Sequence, residues 1–127
     1  MNQFPTRVLV VDDEALIRMA MADHLESAGF AVVEAANAAD AIAILSRADC
    51  DVNLVFSDVR MPGELDGIGL GKWVLQNHPD IPVILASGET GKATAIGELS
   101  GVQVLLKPYS YEAVTHLISA AVARSRG

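Results

Sequence analysis

The 127-residue sequence predicts an α/β fold, a doubly wound (βα)5 domain built on a five-stranded parallel sheet. Three observations carry this expectation. Five short apolar runs alternate along the chain with stretches of helical period. The runs are rich in Val, Ile and Leu without strict alternation, the pattern of parallel strands covered on both faces. No linker, repeat or low-complexity tract interrupts the alternation, so residues 1–127 read as a single domain, long enough to close one core.

The expected strands are Arg7–Val11, Ala31–Ala35, Val52–Ser57, Pro82–Ser87 and Val102–Leu106. In the first helix Leu16, Ala20, Leu25 and Ala28 mark the apolar face, and Gly29 is placed to end it. Asn37 is placed to cap the second helix, whose stripe is Ala41, Ile42 and Leu45. The third spans Gly67–Asn77. It carries Gly67, Gly69 and Gly71, each costing about 1 kcal/mol relative to Ala, so packing must hold it. A fourth, weaker stretch runs from Thr90 to Leu99. In the last helix Ser110 is placed as cap, with Val114, Leu117, Ile118 and Ala121 at helical spacing.

Composition narrows the function. Hydrophobic residues make up 51% and charged residues 20%, which excludes a disordered acidic tail. No apolar run approaches the ~20 residues that span a bilayer, and "MNQFPTR" lacks a signal pattern, so a cytoplasmic setting without membrane contact is expected. Cys50 is the only cysteine, so neither an internal disulfide nor a cysteine metal cluster is available; it reads as an ordinary half-buried thiol. The formal charge is −7, with nine basic residues scattered singly, which argues against direct nucleic-acid binding and is compatible with a cation. His24, His78 and His116 show no ligand spacing and read as surface residues. Trp73, near the border of its helix, is expected to be partly buried.

The ends of the strands carry the chemistry. In open parallel sheets ligands bind beyond the carboxyl ends of the strands. Here the first strand ends in Asp12 and Asp13, the third in Asp58, the fourth in Ser87 and the fifth in Lys107. Each alone has an ordinary explanation, and Asp13 is well placed to cap the first helix. Together, three carboxylates, a hydroxyl and an ammonium on one edge describe a site. Clustered carboxylates repel, and a hard divalent cation relieves them; Mg²⁺ typically takes one or two protein carboxylates plus phosphate oxygens. A further carboxylate beside it is a nucleophile toward phosphorus, giving an aspartyl phosphate. A lysine and a hydroxyl then hold phosphoryl oxygens.

The segments "VLVVDDE", "LVFSDVRMPG", "DG" at Asp66–Gly67, "VILAS" and "LLKPY" resemble the receiver domain of bacterial two-component response regulators, of the chemotaxis-receiver type. The resemblance runs from Arg7 to about Ala123, the core of the expected domain, with five motifs in order. It implies a flavodoxin-like sheet of strand order 2-1-3-4-5. It implies Asp58 as phosphoacceptor, and Mg²⁺ (or Mn²⁺ in its place) held by Asp12, Asp13, Asp58 and the backbone carbonyl of Arg60. Ser87 is then the switch hydroxyl, Lys107 the phosphoryl-binding lysine, and Lys107–Pro108 a cis peptide bond. A sensor histidine kinase or histidine phosphotransfer protein would supply the phosphoryl group. The only enzymatic activity implied is self-catalysed phosphoryl transfer to Asp58 and hydrolysis from it. As the chain ends soon after the last helix, either a stand-alone receiver or one excised from a larger protein is expected, acting on a downstream protein as adaptor or phosphorelay intermediate.

The chain departs from this pattern at three places. "DVRMPGELDG" is one residue longer than the commonest spacing, Gly88 follows Ser87 where Ala is usual, and Val104 holds the place of an aromatic switch residue. Switching is therefore expected through Ser87 and the loop to Gly91, read out on a face that includes Lys92, Gln103, Tyr109 and Tyr111. Lys92 is the only basic residue of the fourth helical stretch, so a monomer is expected. Arg60 and Glu89, each two residues beyond a site residue, are expected to pair over the mouth and gate water. Two alternatives stand beside this reading. A Mg²⁺-dependent phosphohydrolase with an aspartyl-phosphate intermediate fits "DDEAL" weakly, and a flavin module would want glycines and hydroxyls, not acids, after the first strand.

Overall fold

The computed structural model describes residues 5–88 and 101–126, with the side chains described as far as residue 124. The five strands are β1 (Arg7–Val11), β2 (Ala31–Ala35), β3 (Leu54–Asp58), β4 (Val83–Ser87) and β5 (Val102–Leu106). They form one sheet of order β2-β1-β3-β4-β5, parallel at every pairing. The described helices are α1 (Ala15–Ser27), α2 (Ala38–Leu45), α3 (Gly67–Asn77) and α4 (Tyr111–Arg126). The expected stretch from Thr90 to Leu99 lies outside the described residues.

Successive residues of a strand face opposite sides of the sheet, and here both sides are covered. Leu9, Val11, Val55 and Leu85 pack with Ala41 and Leu45 of α2 and Leu70 and Val74 of α3. Val8, Val10, Leu54 and Ile84 pack on the other side with Met21 and Leu25 of α1 and Val114 and Ile118 of α4. This two-sided burial is why the strands read as nearly continuous apolar runs.

Strand limits differ from expectation at three points, two on β3 and one on β4. β3 begins at Leu54 because Asn53 instead binds Arg7 twice, its N–H donating to the Arg7 carbonyl and its Oδ1 accepting from the Arg7 N–H, each at 2.8 Å. β3 also includes Asp58, which pairs with Ala86. β4 begins at Val83 because Pro82 has no N–H to place in a ladder. The face of α1 is a larger correction: Leu16 is 83% exposed, Ala20 and Ala28 are also exposed, and of the four expected residues only Leu25 is buried. Met21 and Ala22 take up the packing instead, because the helix turns the Leu16 side away from the sheet.

Capping follows the expected residues elsewhere. Asn37 Oδ1 accepts from the Asp40 N–H at 2.7 Å and Ser110 Oγ from the Ala113 N–H at 3.1 Å. Gly29 sits at φ +100°, a left-handed conformation that closes α1 as the Phe30 N–H donates back to the Leu25 carbonyl. Trp73 and Cys50 are half-buried. His24, expected at the surface, is half-buried: its ring stacks on Tyr111 at 4.6 Å between α1 and α4, and its Nε2 is shielded with no hydrogen-bond partner.

Candidate functional site

The pairing of β1 with β3 and of β3 with β4 brings the carboxyl ends of three strands side by side. Asp12 follows β1, its N–H donating to the Ala35 carbonyl at 3.1 Å. Its Oδ1 accepts the Glu14 N–H at 2.9 Å. The expected cap is thereby corrected: Glu14 is the N-cap of α1 with no side-chain cap bond, Asp12 holds the Glu14 N–H in the turn before it, and Asp13 stands exposed at the mouth. Asp58 ends β3 and, like Asp12, is only 9% exposed. Asp12, Asp13 and Asp58 each present a carboxylate oxygen within 4.8 Å of the others.

The opposing charge comes from β5. Lys107 Nζ donates to Asp58 Oδ1 at 3.0 Å. Its N–H donates to the carbonyl of buried Ser87 at 2.9 Å, and the Lys107–Pro108 bond is cis. Burial, and then the charges of Asp58 and Asp13, push the Asp12 carboxyl above its ordinary 3.8, against the Glu14 N–H and Lys107, which pull it down. Behind the cluster lies a recess of about 430 Å³ lined by Ile17, Met21, Phe56 and Tyr109. Burial first, and the nearby Asp12 and Asp58, push the Tyr109 hydroxyl up to about 12.

The donor set suits a hard divalent cation. All three would-be ligands are carboxylate oxygens gathered within 4.8 Å of one another, the hard oxygen donors that Mg²⁺ takes. The exposed Arg60 shares a shallower depression with Asp13 and Asp66 at the mouth. Glu89 and Lys92 lie outside the described residues. Gln103, half-buried on β5, lines a separate recess near the opposite end of the strands. Tyr109 packs edge-on to Phe56, and Tyr111 stacks on His24. Both tyrosines belong to the α1–α4 side of the sheet, and Gln103 faces that same side, beside Ala121 and Arg124 of α4. The positions of the tyrosines follow from the turn at Pro108, which sends the chain back across α1.

Some residues of the site were not singled out in advance. Gly67 opens α3 against the end of β3: a Cβ there would fall on the Asp58 carbonyl oxygen and 2.7 Å from Val59 Cα. Arg18 of α1 reaches the Asp12 carbonyl. A charged residue about a turn and a half past the Asp12–Asp13 pair was the available signal for Arg18; Gly67 was visible only as part of "DG".

A family model described as the response regulator receiver domain matches residues 8–119. The chain belongs to that family. The match overrides the phosphohydrolase and flavin alternatives, and the acidic cluster of this receiver is consistent with an aspartate-phosphorylation switch of a two-component system, self-catalysed in both addition and loss of the phosphoryl group. The receiver is 46% identical over 81 residues to the C4-dicarboxylate transport transcriptional regulatory protein DctD of Rhizobium meliloti, covering 64% of this chain and 17% of that protein. It is 41% identical over 88 residues to the sensor kinase CckA of Brucella abortus, covering 69% of this chain and 9% of that one. The crystal structure of the receiver domain of NtrX from Brucella abortus superposes with a TM-score of 0.80 at 31% identity, covering 91% of this chain and 98% of that one. The receiver thus spans less than a quarter of each of these two curated relatives. No helix among the described residues is long and apolar enough to cross a membrane.

Proposed function

We propose that Asp58 accepts a phosphoryl group from the phosphohistidine of a sensor histidine kinase or histidine phosphotransfer protein, with Mg²⁺ (or Mn²⁺) held by Asp12, Asp13, Asp58 and the Arg60 backbone carbonyl. The observation that carries this reading is Asp58 itself: a nearly buried carboxylate with one oxygen on the Lys107 ammonium and two further carboxylates beside it. A carboxylate oxygen of Asp58 attacks phosphorus, the phosphorus–nitrogen bond breaks, and imidazole leaves. Lys107 then moves its hydrogen bond from Asp58 to a phosphoryl oxygen, and the Ser87 hydroxyl supplies another. Mg²⁺, when bound, neutralises the charge gathered on the phosphoryl oxygens.

Ser87 and Lys107 are joined through their backbones, so a shift toward the phosphoryl group moves the ends of β4 and β5 together. That movement, through Ser87 and the loop beyond it, is the output offered to a downstream protein. Arg60, on the mouth side of Asp58, is the gate against water in this reading. The donor docks on α1, where Leu16, Ile17 and Met19 are exposed and Ile17 also lines the recess beside Asp58. The reading takes the receiver as a cytoplasmic monomer without direct nucleic-acid or membrane contact. Incubation with acetyl phosphate and Mg²⁺ should add one phosphoryl group, abolished by Asp58→Asn and suppressed by EDTA. Full labelling of Asp58→Asn would refute the assignment.

A further inference from the structure

Arg18 is a charged residue only 17% exposed, and its guanidinium joins three elements. Nε donates to Glu34 Oε1 on β2 at 3.0 Å, and Nη1 donates to the carbonyl oxygen of Asp12 at 2.8 Å. That carbonyl belongs to the peptide linking Asp12 to Asp13. On the other side of Asp12, the N–H is held by Ala35 on β2. Residue 12 is therefore clamped from both ends to β2, directly at one and through the Arg18–Glu34 pair at the other. A peptide plane held in this way fixes the N–Cα axis from which the next side chain projects, and the next residue is Asp13, the exposed member of the acidic cluster.

We propose that Arg18, oriented by Glu34, is a positioning residue for the metal site: it fixes the Asp12–Asp13 peptide so that the two carboxylates meet a cation together. This rests on the reading of Asp12 and Asp13 as metal-holding residues. The fork geometry is what qualifies Arg18. Two N–H groups of one planar guanidinium serve two acceptors at once, which a lysine ammonium on a flexible stem does not reproduce. Partners that orient metal ligands in this way typically alter metal affinity by 10–100-fold when removed.

The sign of the effect separates positioning from simple charge. A cation beside three carboxylates repels a divalent ion, so on charge alone the loss of Arg18 tightens Mg²⁺ binding and Arg18→Lys leaves it unchanged. Positioning requires the reverse. Calorimetric titration with Mg²⁺ alone should show affinity falling about tenfold in Arg18→Met and falling also in Arg18→Lys, with both melting cooperatively in EDTA. Glu34→Gln should weaken binding less, and Arg18→Met combined with Glu34→Gln no further than Arg18→Met alone. If Arg18→Met does not fold, Arg18→Lys carries the comparison. Mg²⁺ binding as tight as wild type, or tighter, in the folded Arg18 variants overturns the proposal. A wild-type chain that takes up no Mg²⁺ overturns the reading of the acids, and this inference with it.

Discussion

Asp12 bears the electrostatic conflict of the site: it is nearly buried, faces Asp58 and Asp13, and is relieved only in part by the Glu14 N–H and Lys107. Its folded-state pKa is raised above 3.8, so the native chain holds this proton more tightly than the unfolded chain. The stability this contributes is complete below the unfolded value and is lost as pH rises through the folded one. In metal-free protein, urea unfolding from about pH 4 to about pH 7 should therefore show a stability falling more steeply with pH in wild type than in Asp12→Asn. The asparagine keeps an oxygen for the Glu14 N–H, so the difference isolates the charge; identical slopes would remove the conflict. Asp12, Asp13, Asp58, Ser87 and Lys107 were legible in the sequence because each closes an apolar run, and parallel strands put such residues on one edge. The division of labour between Asp12 and Asp13 was not, because both are good caps, and which one turns toward the Glu14 N–H depends on a backbone that β2 and Arg18 hold.

Among the elements, α3 shows how the same residue type serves different ends. At Gly67 an added Cβ strikes the Asp58 carbonyl; at Gly71 it meets only Leu85, Val83 and Val102 at 3.6–3.9 Å, ordinary contact distances. Gly67→Ala must displace either the helix or the strand end that carries Asp58, and should cost about 1–3 kcal/mol while slowing phosphorylation by acetyl phosphate. Gly71→Ala, in the helix interior with room for a methyl group, should stabilise by about 0.5–1 kcal/mol with phosphorylation unchanged. Chemical denaturation of both variants reads this contrast, and equal effects at the two sites would contradict it. In the sequence the three glycines of α3 counted alike as weaknesses of the helix. The bounds of α3, the Asn37 and Ser110 caps and the Gly29 stop were legible because they depend on local chemistry. The buried side of α1 was not, because Leu16 and Leu25 look equivalent to a periodicity count and only the sheet decides which of them it covers.

For the whole molecule, the strand order matters more than any one element. With β3 central and β1 beside it, the acids of two separate segments, 46 residues apart from Asp12 to Asp58, become neighbours, and the chain accepts their repulsion within an overall charge of −7. Two kinds of cation effect follow, and they separate experimentally. Any salt screens the general charge, over a Debye length of about 10 Å at 0.1 M. A divalent ion held between Asp12, Asp13 and Asp58 binds the native state alone and adds a term that grows with its concentration, about 1.4 kcal/mol at ten times the dissociation constant. For a domain of this size that corresponds to a rise of roughly 3–6 °C in melting temperature. Mg²⁺ should therefore raise the melting temperature beyond NaCl of equal ionic strength, and EDTA should reverse the excess. Asp13→Asn separates the two further, since it removes one repelling charge and one ligand together. It should melt higher than wild type in EDTA and respond less to Mg²⁺, so that the two curves converge or cross as Mg²⁺ is added. If NaCl alone reproduces the whole rise, or if Asp13→Asn responds to Mg²⁺ as wild type does, the acids are a charged rim and not a binding site.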